Sequence, residues 1–128
     1  MSNDRLVKTY VAKADYSAKQ GYAVFLDDED ASKNTPVATL CGANARGIGI
    51  ILDPPYAADY GMGVCVDGYC KAIAGGTITV GNALKSDANG ALVLADTDQD
   101  KVVAIAQKDA ASGEQFDVKI SVYDLAVT

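Results

Sequence analysis

The chain has 128 residues, seventeen acidic against eleven basic side chains for a net charge of −6, and no histidine. That length fits one domain with a real core and leaves little room for a second catalytic unit. The two arginines, Arg5 and Arg46, are far apart in sequence, which disfavours a phosphate-neutralising surface, and the missing histidine removes the usual general base and the commonest metal ligand.

Residues 1–20 carry Arg5, Lys8, Lys13 and Lys19 with Tyr10, Val11 and Tyr16 spaced through polar sequence, and read as an extended N-terminal arm before a β-rich body over 21–128. The opening residues carry no apolar h-region, and the longest aliphatic run, Ile48 to Leu52, stops just before Pro54-Pro55; neither a signal peptide nor a membrane helix is expected. After the arm, short segments bounded by turn residues read as strands: Tyr22 to Leu26, Val37 to Cys41, Gly47 to Leu52, Gly63 to Val66, Tyr69 to Ala74, Thr77 to Val80, Ala91 to Ala95 and Val102 to Gln107. The clearest strand is the C-terminal stretch, where Phe116, Val118, Ile120 and Val122 alternate with Asp117, Lys119, Ser121 and Tyr123, the period of a half-buried strand. The fold class expected is all-β, a sandwich or small barrel.

Two turns set expectations of register. In Cys65-Val66-Asp67-Gly68-Tyr69-Cys70 the Asp-Gly pair suits a type I′ hairpin turn, which would set Val66 against Tyr69 and Cys65 against Cys70. In Asp87-Ala88-Asn89-Gly90 a type I turn followed by a left-handed glycine would join a strand ending near Ser86 to Ala91–Ala95. A weak internal similarity also points to two related β units: Ala57-Ala58 and Gly61 precede one alternating run, Ala110-Ala111 and Gly113 another, each after an aliphatic strand.

The chemistry-bearing residues are sparse. The acidic run Asp27-Asp28-Glu29-Asp30 offers clustered carboxylates that could take a hard cation, with a solvated loop as the expected alternative. Asp96-Thr97-Asp98-Gln99-Asp100 opens like a calcium loop, but Lys101 stands where glycine is needed and Gln107 where a bidentate glutamate is needed, so a charged turn between strands is expected. Three cysteines, an odd number, suit a reducing compartment; a Cys65–Cys70 disulfide is sterically conceivable across the hairpin, and burial of all three as small hydrophobes is the alternative. Gly47-Ile48-Gly49 and Gly61-Met62-Gly63 lack what a phosphate loop requires and suit strand bends. No catalytic residue, metal site or cofactor is indicated, and the chain is expected not to be an enzyme.

The stretch Gly81-Asn82-Ala83-Leu84-Lys85-Ser86-Asp87-Ala88-Asn89-Gly90-Ala91-Leu92-Val93 resembles the segment G-(D/N)-x-L-x-x-D-x-x-G-x-(L/V)-V of tailed-bacteriophage head decoration proteins, also called capsid cement proteins. Ala110-Ala111-Ser112-Gly113-Glu114 through Val118 and Ile120 is similar to that family's closing pattern, A-x-x-G-E-x-x-x-V-x-(I/L). The resemblance runs from about Gly47 to Tyr123; Ala104 stands where the family often has glycine, and the N-terminal third departs from the pattern. It implies a barrel- or tulip-like β domain on the exterior of a virion, binding the major capsid protein as a homotrimer, bridging its subunits and so stabilising the shell, with neither nucleic acid nor membrane as partner. Lys8, Lys13 and Lys19 would then pair with an acidic shell while Tyr10, Tyr16 and Tyr22 anchor the contact; the alternative at these positions is a buried Tyr22 and solvated lysines. A second functional class, a carbohydrate- or small-ligand-binding β module, would use Tyr56, Tyr60 and Tyr69 near Pro54-Pro55.

Overall fold

One long strand organises the molecule, and its middle is where the sequence suggests a turn. The computed structural model describes residues 5–27 and 36–126, and among these it contains strands and connecting turns but no helix. In chain order the strands are β1 (Arg5–Ala12), β2 (Ala23–Asp27), β3 (Val37–Leu40), β4 (Gly49–Asp53), β5 (Gly61–Ile73), β6 (Ala83–Ser86), β7 (Leu92–Leu94), β8 (Lys101–Ala106) and β9 (Gln115–Asp124). They pair in the order β1-β3-β2-β4-β5, with β1 also paired to β5, so five strands close into a barrel. From β5 the ladder continues through β9, β8, β6 and β7. A parallel bridge from Ala74 to Leu92 brings the last of these back beside the end of β5.

The expected Asp67-Gly68 hairpin is replaced by a bulge inside β5. Leu6 of β1 stands opposite Asp67 and Val7 opposite Cys65, which leaves Val66 as the extra residue, while Gly68 takes the left-handed conformation at φ 88°. The Asp-Gly pair therefore supplies the positive φ that the sequence suggests, but it bends one strand instead of reversing the chain. Pairing decides the outcome: before the bulge β5 lies between β1 and β4, and after it Tyr69–Ile73 pairs with Gln115–Lys119 of β9. The bulge also inverts which side chains face which way. Cys65 and Cys70, five residues apart, would point to opposite faces of a regular strand, yet both lie in the same core.

The Asp87–Gly90 turn forms as expected. Gly90 has φ 88°, the Asp87 carboxylate accepts hydrogen bonds from the N–H groups of Asn89 and Ala91 at 2.8 and 3.1 Å, and β6 pairs with β7 from Ser86–Leu92 to Leu84–Leu94. By contrast Thr77–Val80 is not a strand; only Ile78 bridges, to Ala110. The N–H groups of Thr79 and Val80 donate to the side chains of Asn82 and Asp109, which occupy donors a ladder would need. In both units of the suspected internal similarity, the aliphatic strand (β4 or β8) lies antiparallel to the alternating one (β5 or β9).

Two buried clusters follow from this layout. Tyr10, Ala12, Tyr16, Val24, Ala38, Ile51, Met62 and Val64 fill the barrel. The other cluster lies between the outer face of the barrel, at Ala23, Ile50 and Cys65, and the inner face of the second sheet, at Leu84, Leu92, Val103, Phe116 and Val118. The alternation along Phe116–Ile120 is the pattern that builds this second layer.

Candidate functional site

Residues 5–20 are not a free appendage. Residues Arg5–Ala12 form β1, which closes the barrel, and Tyr10 is 8% exposed. The chain then folds over one end of the barrel, where the Tyr16 ring, also 8% exposed, inserts as a plug and its hydroxyl accepts from the Leu40 N–H at 3.1 Å. Tyr10 and Tyr16 are thus core residues and not surface anchors, because a narrow five-stranded barrel needs large rings to fill it. The other expected contact residues separate. Lys8 is exposed on β1, Lys13 is exposed just beyond the end of that strand, and Lys19 lies over the half-buried Tyr22 ring at 4.8 Å from its centroid, in cation–π range.

The plugged end carries an aromatic pair. The Ala12 N–H donates to the Tyr60 carbonyl and the Asp59 N–H to the Ala12 carbonyl, so the loop between β4 and β5 is fastened beside the end of β1. On it Tyr56 is 83% exposed and Tyr60 55%, with ring centroids 5.5 Å apart and planes tilted by 60°. The Gln20 amide donates to the Leu52 carbonyl at 3.0 Å, which joins the Lys13–Tyr22 turn to the same rim. Lys13, Lys19, Tyr22, Tyr56 and Tyr60 therefore share one end of the barrel, three rings and two ammonium groups with apolar stems among them. Sequence spacing alone does not unite them; the Pro-Pro-Tyr loop was the available signal. Tyr69 lies elsewhere, past the bulge and opposite Lys119 of β9.

Away from this end several ionisable groups are tied into the scaffold. Lys71 pairs with Asp117 at 2.6 Å, Lys101 with Asp124 at 3.3 Å, and Arg46 also with Asp124. The Asp96–Asp100 segment is the charged turn expected between β7 and β8. Its Asp100 is 4% exposed and accepts from Lys85 Nζ at 3.0 Å and from the N–H groups of Thr97 and Asp96. Burial disfavours the charged form, but the Lys85 ammonium and these N–H donors outweigh it and hold the Asp100 carboxyl below its usual value. Beyond Asp27, whose carboxylate accepts from Thr39 Oγ1 at 2.8 Å, the acidic run Asp27–Asp30 lies outside the described residues.

All three cysteines are free and buried. Burial pushes the Cys41 thiol up to about 12 and raises that of Cys70 as well, with the neighbouring Cys65 adding to the Cys70 shift. An open depression of about 340 Å³, lined by Thr77, Ile78, Thr79, Asp109, Ala110, Ala111 and Glu114, lies beside the Ile78–Ala110 bridge. Two of its carboxylates are already engaged by backbone donors, Asp109 by Val80 and Glu114 by Ala111. Among the described residues no three Cys, Asp or Glu side chains gather closely enough to hold a metal ion.

No family model matches the chain, and no curated protein matches it. Among solved structures it is similar to the head fiber gp8.5 N base of bacteriophage phi29, with a TM-score of 0.63 and 20% identity over 96% of this chain and 99% of that one. At that identity the likeness is one of fold, and it spans both chains nearly end to end.

Proposed function

We propose that this chain is a structural protein of a bacteriophage head, which binds the outer surface of the capsid and stabilises it by bridging major capsid protein subunits, without catalysing a reaction. The observation that carries the reading is the end-to-end likeness of fold to the base of a phage head fibre; the decoration-protein pattern in Gly81–Val93 and Ala110–Ile120 agrees with it. The aromatic end of the barrel is the surface assigned to the shell. Exposed tyrosines beside lysines are the composition of binding hot spots, since rings bury much area at small entropic cost. A chain that adheres in this way adds free energy to the bound shell by mass action, and copies assembled as a trimer would add it at each joint between subunits.

Co-sedimentation with shells assembled from the same phage's major capsid protein tests the assignment. The wild-type chain is expected in the pellet and the Tyr56→Ser/Tyr60→Ser double variant in the supernatant. Equal pelleting of both would remove the aromatic end from the contact. The exposed, tilted Tyr56–Tyr60 pair also favours a second reading, in which sugar rings stack on the tyrosines; binding to immobilised glycans without binding to shells would support that reading over the first.

A further inference from the structure

The turn between β6 and β7 is where that hairpin meets the barrel, and it holds a peptide bond unlike any other in the chain. The Ala23 N–H of β2 donates to the Gly90 carbonyl at 2.8 Å. Five asparagines occur in the sequence, and only Asn89 is followed by glycine. Asn44 Oδ1 accepts from the Lys101 N–H at 2.7 Å and Asn82 Oδ1 from the Thr79 N–H at 2.9 Å, and an alanine follows each. The Asn89 side chain is instead exposed, and its amide makes no hydrogen bond among the described residues.

The nucleophile is the backbone nitrogen that follows. Glycine has no Cβ to crowd an approach to its own nitrogen. The Gly90 N–H is held by the Asp87 carbonyl at 3.3 Å, longer than the roughly 2.7–3.2 Å of an ordinary N–H bond. Attack requires rotation about the Asn89 Cα–C bond, so it proceeds from conformations in which this long bond is open, a local fluctuation that leaves the rest of the fold intact.

We propose that Asn89 is a self-modifying site, converted by the Gly90 nitrogen to aspartate and isoaspartate, and that the isoaspartate loosens the β6–β7 hairpin from the barrel. The Gly90 N–H gives its proton to hydroxide, the nitrogen bonds to Asn89 Cγ, and the Cγ–Nδ2 bond breaks as ammonia leaves with a proton from water. The product is a five-membered imide. Water then opens it: cleavage at Cγ gives aspartate, and cleavage at the main-chain carbonyl carbon gives isoaspartate, whose backbone runs through the side chain and gains a methylene. No oxidant or cofactor enters. The new carboxylate arises two residues from that of Asp87, which accepts from the Asn89 and Ala91 N–H groups, and like charges repel. The extra methylene also moves the Gly90 carbonyl relative to the Ala23 N–H. Leu40 Cγ, 3.1 Å from where a Cβ on Gly90 would stand, leaves little room to absorb the shift. The site is separate from the aromatic end and independent of the shell-binding role proposed above.

The test is incubation of the full chain in mildly alkaline buffer, well below its melting transition, followed by ion-exchange chromatography and peptide mass spectrometry. A species with one added negative charge is expected to accumulate, faster as the pH is raised, with the change at Asn89 before any other asparagine and part of it labelled by an isoaspartyl methyltransferase. Asn89→Ser removes the amide but keeps the backbone N–H that Asp87 accepts, and is expected to lose that species. Asn89→Asp carries the same charge on an unaltered backbone, so the purified isoaspartyl form is expected to melt below it. Failure of the acidic species to form, its persistence in Asn89→Ser, earlier conversion of another asparagine, or equal melting of the isoaspartyl form and Asn89→Asp would each overturn the proposal.

Discussion

Single residues in this chain carry consequences that differ by burial and by what they satisfy. Tyr16 both fills the barrel end and accepts from the Leu40 N–H. Tyr16→Phe is therefore expected to cost about 1 kcal/mol for the lost hydrogen bond, and Tyr16→Ala about 3–5 kcal/mol for the cavity, as read by denaturant unfolding. Asp100 makes a prediction in pH. Its carboxyl is held low in the folded state, so it stabilises the protein fully above the unfolded carboxylate value and loses that contribution as pH falls through the folded one. The melting temperature of Asp100→Asn should lie several degrees below wild type at neutral pH, and the gap should close on acidification below about 4. The thiols give a third check: with Cys41 pushed up to about 12 by burial, native protein is expected to react slowly with thiol reagents at pH 8, and denatured, unreduced protein to show all three. None of these environments is written in the local sequence. Tyr16 is flanked by Asp15 and Ser17, and only the closure of the barrel over it makes it core.

Strand content was legible at the level of elements wherever one face is buried and turn residues mark the ends. The alternation over Phe116–Tyr123 and the Asp87–Gly90 turn correspond to β9 and the β6–β7 connection. What local pattern could not reveal is which strands continue into one another. Asp67-Gly68 has the conformation that a hairpin needs, but β1 and β9, distant in sequence, pair with the two halves of β5 and hold it extended. Gly68→Val should destabilise the fold by about 1–2 kcal/mol through the left-handed backbone alone. Gly90→Val should cost more, since an added side chain would also meet Leu40 Cγ at 3.1 Å and the Ala23 carbonyl at 3.3 Å. β1 escaped notice for a similar reason: its first five residues are exposed, so no apolar stripe announces it, and its place is fixed by pairing with β5. Deleting residues 1–20 is therefore expected to abolish cooperative unfolding, because it opens the barrel and removes both buried tyrosines; a truncated chain with a wild-type transition would contradict that account.

For the whole molecule, two β halves share one bent strand, with one buried cluster inside the barrel and another between the barrel and the second sheet, and the ion pairs mostly fasten the second half to itself. The absence of histidine and the net charge of −6 suit a protein whose proposed work is adhesion, and the aromatic end is a surface where exposed rings lie near lysines. The expected barrel-like all-β body is the fold observed, while the site was only partly visible in sequence: Lys13, Lys19 and Tyr22 lie at the aromatic end, but the Tyr56–Tyr60 pair joins them through contacts between segments distant in sequence, the hydrogen bonds of Ala12 and that of Gln20 with Leu52. The central claim, that the chain stabilises a phage shell by binding across it, is tested most directly by the temperature at which shells of the same phage's major capsid protein disrupt, measured as the chain is titrated in. The account predicts a rise that grows with concentration and saturates; a disruption temperature unchanged at saturating chain would contradict it.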